Sequence, residues 1–305
     1  TILIRSWLGT GRVDEASAAM TTLTEIAGGA NPASLAKLHL DLSQEMIRSY
    51  AELTASGGNA AELLNIITKS FEQLSRNASS LSSGILLRAA TSAKTLAESV
   101  TPAEEARGIF GQAAVLYEAL LQTGLPDPAS ETAVRFRLAD VVSRSGRFED
   151  SLVLYDKLLA DQPRVFSAQI KAAQALQALG TESQNPELLA HAISGSPQKP
   201  HLWGWGKIST TMQRLLAKDP SRDDYRDSFL EARLHIAECR IACARSYADS
   251  GKKQAELEKA LRELATLTFT TKSFDADGWK PLNEIYQTIQ KLLSRTPQPL
   301  YKSAK

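Results

Sequence analysis

Apolar residues recur three or four positions apart along nearly the whole chain, in windows dominated by Ala, Leu, Glu, Gln, Lys and Arg. This spacing places apolar side chains on one face of an α-helix, and these residue types favour helix. Valine, isoleucine and aromatic residues do not alternate with polar residues over any strand-length run. The pattern predicts an all-α protein with helices over 12–27, 33–56, 59–77, 84–99, 102–123, 129–145, 148–161, 165–179, 186–193, 205–217, 222–250, 253–267 and 278–294.

Glycine and proline residues separate the predicted helices. Glycine ends a helix because it tolerates the left-handed conformation, and proline suits the first turn because its missing N–H needs no partner there. Thr101-Pro102 and Asn185-Pro186 therefore predict helix starts, whereas Gly146 and Gly180 predict helix ends. Short connections of this kind favour antiparallel pairs of neighbouring helices.

One helix pair, from Thr132 to Val165, carries a specific residue pattern. It consists of Leu138, Ala139, Val142, Gly146, Phe148, Ser151, Tyr155, Leu158 and Pro163. This pattern resembles the tetratricopeptide repeat (TPR), a 34-residue helix–turn–helix unit. The resemblance implies that the small Ser151 lets the two helices approach closely and that Pro163 closes the second helix.

Parts of the same pattern recur elsewhere in the chain. Gly180 lies 34 residues after Gly146, which is the repeat period of the family. The other partial matches are Ala172, Ala173 and Leu176; Trp7, Gly11, Val13, Ala16, Met20 and Leu23; and Cys243, Tyr247 and Gly251. Aligning Gly11 with Gly146 places Thr1 inside the first helix of a repeat, so we expect the chain to be part of a longer protein with further repeats upstream.

The resemblance implies a right-handed superhelical solenoid of antiparallel helix pairs with irregular TPR-like repeats. We expect irregular helical repeats over 1–128, with the first one truncated, and TPR-like repeats over 129–197. Further helical repeats and a closing helix follow over 198–305. The resemblance is specific over 132–165 and good over 1–30, and it implies one continuous solenoid.

In this family the first helix of each repeat lines a binding groove, and the matching positions here define a candidate partner-binding surface. These positions are Phe136, Asp140, Ser143, Arg144, Ile170, Gln174 and Gln177. Some relatives clamp a partner's terminal carboxylate with Lys and Asn, but Phe136 and Asp140 occupy those two positions. The mixed polar and apolar surface suits an extended or helical peptide.

Two tryptophan residues follow a loop that is rich in proline and glycine. Trp203 and Trp205 alternate with Gly204 and Gly206. They either plug the junction between two solenoid segments, where glycine allows close backbone approach, or form an aromatic interface for a partner. The sequence leaves both alternatives open.

The composition excludes several function classes. The chain of 305 residues has 35 Lys and Arg against 34 Asp and Glu, a net charge of +1, and two cysteines. Without a basic stripe interleaved with aromatic residues, we expect no nucleic-acid binding. No apolar run approaches about 18 residues, so we expect no membrane span. Two cysteines do not make a disulfide-stapled fold.

No catalytic or metal-binding signature stands out. His235, Cys239 and Cys243 share one helix face, but the outer two lie about 12 Å apart along a helix, and a closed zinc site needs four ligands. Packing of small apolar cysteines against a neighbouring helix explains them better. We expect no metal, no cofactor and no enzymatic activity.

These observations favour a non-catalytic scaffold or adaptor that binds a partner protein or peptide. One alternative is a permanent structural subunit of a large complex, and another is the helical region of a larger enzyme. We expect a soluble protein, of the cytoplasm or of the bacterial periplasm.

Overall fold

The computed structural model describes residues 32–58, 60–270 and 276–300, with four single positions before residue 32. Within these residues the fold is all-α, as predicted, with twelve α-helices and one short 3-10 turn. The predicted helix 12–27, and the pattern from Trp7 to Leu23, lie almost entirely outside the described residues. None of the described helices combines the length and apolar character that a bilayer crossing requires.

The helices follow one another with short connections. They are α1 (Pro32–Ala55), α2 (Ala61–Arg76), α3 (Ser83–Ser99), α4 (Ala103–Gln122), α5 (Pro128–Arg144), α6 (Phe148–Asp161), α7 (Phe166–Glu182), α8 (Pro186–Ser194), α9 (Trp205–Lys218), α10 (Asp223–Ser246), α11 (Ser250–Thr270) and α12 (Ala276–Leu292).

Polar caps fix two of the helix starts. The Asp127 carboxylate accepts a hydrogen bond from the backbone N–H of Ser130 at 2.8 Å and precedes Pro128 at the first position of α5. The Asn185 side chain likewise accepts from the N–H of Glu187 at 2.9 Å. Each cap satisfies a backbone donor that the helix leaves unpaired, so α5 and α8 begin close to their predicted starts.

Gly146 ends α5 as predicted. Its φ of +89° lies in the left-handed region that glycine reaches without strain. The next N–H, that of Arg147, donates to the carbonyl oxygen of Val142 at 3.2 Å. This arrangement satisfies an end carbonyl of the helix.

The prediction that Gly180 ends a helix is wrong, because α7 continues to Glu182. Gln184 takes the left-handed position instead, with φ +50°, and the N–H of Asn185 closes the turn on the Gly180 carbonyl at 2.9 Å. A Cβ at Gly180 would lie 2.9 Å from the backbone nitrogen of Leu189. Glycine is therefore needed for close approach of α7 and α8 rather than for the turn.

The chain divides into two compact units, Thr1–Arg147 and Phe148–Lys305. In the described residues, unit 1 contains α1–α5 and unit 2 contains α6–α12. Within each unit every helix packs against the next one. Next-but-one helices also pack, namely α1 with α3 and α2 with α4 in unit 1, and α7 with α9, α8 with α10 and α10 with α12 in unit 2.

Each unit has its own apolar core. The fully buried side chains of unit 1 include Leu40, Met46, Ile67, Phe71, Leu86, Leu96 and Tyr117, and those of unit 2 include Tyr155, Leu159, Trp205 and Phe229. Burying one such side chain stabilises a fold by about 1.5–3 kcal/mol. The TPR-pattern residues Leu138, Ala139 and Val142 are buried in unit 1, and Ser151, Tyr155 and Leu158 are buried in unit 2.

Candidate functional site

The predicted groove residues of unit 1 lie on α5. Asp140 is buried, Phe136 and Ser143 are half-buried, and Arg144 is exposed. The Arg144 guanidinium donates a hydrogen bond to Glu98 at 2.6 Å and lies 4.3 Å from the centre of the Phe110 ring. Arg144 is thus held on the surface by a carboxylate of α3 and an aromatic ring of α4.

Glu98 receives a second cation from its own helix. The ammonium group of Lys94 lies 2.6 Å from the Glu98 carboxylate. Partial burial raises the pKa of Glu98, but the hydrogen bonds and charges of Lys94 and Arg144 outweigh burial and hold that pKa below its ordinary value. Lys94 and Arg144 each carry a positive charge and Glu98 carries one negative charge, so these three side chains together have one net positive charge.

The predicted groove residues Gln174 and Gln177 of α7 are half-buried and contact α10. Gln174 Nε2 donates to Glu231 Oε1 at 2.9 Å, and Gln177 Nε2 donates to Glu238 Oε2 at 3.1 Å. These amides are one helical turn apart on α7, and the two carboxylates are seven residues apart on α10. The two helices are therefore joined by two parallel amide–carboxylate hydrogen bonds. The third groove residue of this helix, Ile170, is half-buried.

Trp205 completes the same group of side chains. Its side chain is fully buried at the start of α9, and its Nε1 donates to Gln177 Oε1 at 2.8 Å. The indole stacks on the His235 ring, with centroids 4.4 Å apart and an angle of 17° between the planes. Trp205 thus lies in the interior of unit 2.

His235 lies between two carboxylates of its own helix. Nδ1 is 2.8 Å from Glu238 Oε2, and Nε2 is 3.8 Å from Glu231 Oε1. Burial lowers the pKa of His235, but the hydrogen bonds and charges of Glu231 and Glu238 outweigh burial and raise that pKa to about 9. In turn, His235 lowers the pKa of both carboxyl groups. At neutral pH the group is therefore a cation between two anions.

We call these side chains the Trp205 network: Gln174, Gln177, Trp205, Glu231, His235 and Glu238. The sequence pointed to its α7 residues and to Trp205 but not to its carboxylates. The spacing of Glu231, His235 and Glu238, four and then three residues, places them on one helix face and could have indicated a charged stripe. Every polar side chain of the network has a partner inside unit 2, which fixes α7, α9 and α10 relative to one another.

The two cysteines pack in the interior of unit 2. Cys239 and Cys243 are free thiols and buried, and Cys243 Sγ lies 3.6 Å from the Pro186 carbonyl oxygen. Burial raises the pKa of both thiols, to about 11 for Cys243. Among the described residues, no three His, Cys, Asp or Glu side chains are grouped so as to hold a metal ion.

Trp203 is half-buried and makes contacts that are separate from those of the Trp205 network. Its backbone N–H donates to Gln169 Oε1 at 2.8 Å, and Gln169 Nε2 donates to the carbonyl oxygens of Pro163 and His201 at 3.1 and 3.0 Å. Gln169 is fully buried, so its amide ties the loop before α9 to the start of α7. The sequence did not indicate this role of Gln169.

The Trp203 ring contacts a cation and a second aromatic ring. Lys207 Nζ lies 4.4 Å from the ring centre, and the Phe166 ring lies 6.1 Å away at a tilted angle. The structure thus brings Gln174, Gln177 and Trp205 together in one network and places Trp203 in another.

Comparison with known proteins adds no relative, because no protein-family model and no curated protein matches this chain.

Proposed function

We propose that this chain is a non-catalytic scaffold or adaptor for protein–protein interaction, built from TPR-like repeats in an irregular right-handed solenoid. The observation that carries this proposal is the packing order within each unit, where every helix contacts the next one in sequence and several contact the next but one, besides the contact of α7 with α10. Stacked helix pairs bury a continuous core and leave long helix faces for partners.

The residue pattern of the repeats supports the same proposal. Leu138, Ala139 and Val142 face the core of unit 1, and their counterparts Ala172, Ala173 and Leu176 face the core of unit 2. The two sets are 34 residues apart, which is the repeat period of the TPR family.

The partner-binding surface that we propose for unit 1 is the outer part of α5 and its neighbours. Phe136 offers a half-buried aromatic ring, and Arg144 adds an exposed guanidinium ordered by Glu98. Aromatic and arginine side chains contribute disproportionately to protein interfaces. In unit 2, the side-chain amides of Gln174 and Gln177 are hydrogen-bonded to α10. We therefore assign them a supporting role, in which they hold α7 and α10 together beside the surface that a partner contacts.

Affinity purification of the tagged protein from its own cells, followed by mass spectrometry, tests the proposal. We expect co-purifying proteins whose capture falls several-fold with Phe136→Ala or Arg144→Ala while the helical circular dichroism signal and melting temperature stay close to wild type. Arg135→Ala is the matched control, because Arg135 is an exposed arginine of the same helix that pairs with Glu131. Capture that is equal in all variants would contradict this assignment of the surface.

A further inference from the structure

Unit 2 contains a cleft of about 570 Å³ outside the Trp205 network. It is lined by the first turns of α6, the C-terminal half of α7, the start of α8 and the loop before α9, and we call it the α6–α8 cleft. This volume lies within the range of roughly 300–1,000 Å³ that is typical of ligand pockets. All of its lining residues belong to unit 2, so the cleft is complete within one unit.

Leucine side chains from three segments form the apolar part of the cleft. Leu176 and Leu202 are buried, whereas Leu179 and Leu188 are half-buried. Val153 of α6 lies at the edge and leaves 44% of its surface exposed to solvent. An apolar side chain from another molecule that covered Leu179, Leu188 and Val153 would remove further apolar surface from water, which favours binding.

Three carboxylates line the same cleft. Glu149 and Asp150 lie in the first turn of α6, and Glu187 lies in the first turn of α8, all of them exposed. A carboxylate in the first turn of a helix stabilises that helix, because it lies at the positive end of the helix dipole, and this effect explains each of the three residues separately. Glu149 and Glu187 converge from two helices on one apolar cleft, and Lys199 is the one lysine or arginine of its lining, so the cleft has an excess of negative charge.

We propose that the α6–α8 cleft docks a short segment of a partner protein that carries a bulky apolar side chain beside a Lys or Arg. The apolar side chain packs on the leucines and Val153, and the cation pairs with Glu149 and Glu187. Apolar contact supplies most of the affinity, and charge complementarity selects the partner. This inference rests on the proposed scaffold function and adds to it the site in unit 2 and the chemistry of the bound segment.

A random dodecapeptide display library, selected against the purified full chain, tests the proposal while the partner protein is still unidentified. We expect enrichment of peptides with Lys or Arg next to Leu, Ile, Met or Phe. No enriched peptide, or an enriched pattern that is acidic or lacks a cation, would overturn the proposal.

Charge-matched variants then locate the binding site of the enriched peptide. Glu149→Gln with Glu187→Gln should weaken its binding about tenfold, because each exposed ion pair contributes up to about fivefold. Asp227→Asn with Glu284→Gln removes the same charge from exposed carboxylates outside the cleft lining and should leave binding unchanged. Equal binding by the two double variants would overturn the assignment to the cleft.

An apolar pair of variants completes the test. Val153→Ser should weaken binding several-fold, whereas Leu292→Ser, at a residue of similar exposure on α12, should not. If the chain self-associates and Val153→Ser abolishes that association, the cleft binds a second copy of the chain and the proposal is overturned. If the enriched peptides bind equally to wild type and to all cleft variants, the cleft proposal fails but the proposed scaffold function does not. The scaffold function itself fails if the chain purified from its own cells retains no partner.

Discussion

The side-chain amide of Gln177 joins Trp205 to Glu238. Its oxygen accepts the indole N–H at 2.8 Å, and its nitrogen donates to the carboxylate at 3.1 Å. One side chain thereby satisfies a buried tryptophan of α9 and a carboxylate of α10 at once. An unsatisfied buried polar group costs about 1–3 kcal/mol, so this amide is a strong determinant of how the three helices pack.

Replacing Gln177 should therefore destabilise unit 2. Gln177→Leu keeps a similar volume but removes the hydrogen bonds that this amide makes to Trp205 Nε1 and to Glu238, so we expect a loss of about 2–4 kcal/mol in the free energy of unfolding. Gln162→Leu, at an exposed position after α6, should change it by less than about 0.5 kcal/mol. Urea unfolding followed by tryptophan fluorescence measures both, and equal stability of the two variants would contradict the role of the amide.

The stability of the protein should fall in the alkaline range. The pKa of His235 is raised from 6.5 to about 9, so its charge stabilises the folded state fully below pH 6.5. That contribution, on the order of 1–3 kcal/mol, is lost as the pH rises through 9. The pKa values of Glu231 and Glu238 are lowered, so their contribution is lost at the acid end, as the pH falls below about 4.5.

Denaturant unfolding at a series of pH values from 6 to 9.5 measures this dependence. His235→Gln should flatten the decline, whereas His201→Gln, at an exposed histidine, should leave it as in wild type. A decline of the same size in His235→Gln would show that other groups cause it.

Gly204 should be intolerant of any side chain. A Cβ there would lie 2.4 Å from both the backbone nitrogen of Gly195 and the carbonyl oxygen of Ile193. Gly204→Ala must shift this backbone, so we expect a loss of more than about 2 kcal/mol in the free energy of unfolding. Gly111→Ala is the matched control: its Cβ meets nothing within 4 Å in the interior of α4, and alanine should stabilise that helix by about 0.5–1 kcal/mol. Thermal unfolding of the two variants should thus shift in opposite directions.

Both thiols should be protected in the folded protein. Cys239 and Cys243 are buried, and burial raises the pKa of each thiol, so little reactive thiolate forms at pH 8. A chromogenic disulfide reagent should titrate two thiols per chain in denaturant and fewer than about 0.2 within minutes in buffer. Rapid reaction of either cysteine in buffer would contradict the packing of α10.

The helices could be predicted from the sequence because their signals are local. Apolar periodicity, with glycine and proline between the helices, gave every described helix, and the largest error, at the end of α10, is four residues (predicted 250, observed 246). Gly180 misled the prediction, because glycine serves close helix approach as well as helix ends, and only the position of Leu189 distinguishes the two.

The candidate sites were less predictable because they depend on residues distant in sequence. Gln174 and Gln177 meet carboxylates 57 and 61 residues away on α10, and no local pattern specifies that pairing. The α6–α8 cleft likewise combines side chains of three helices and a loop. Its leucines look like ordinary core residues in the sequence.

The native mass of the complex purified from its own cells tests the central claim most directly. The scaffold account predicts an assembly heavier than this polypeptide alone that contains at least one other protein in fixed proportion. A single species containing only this polypeptide, as a monomer at physiological salt, would contradict the account.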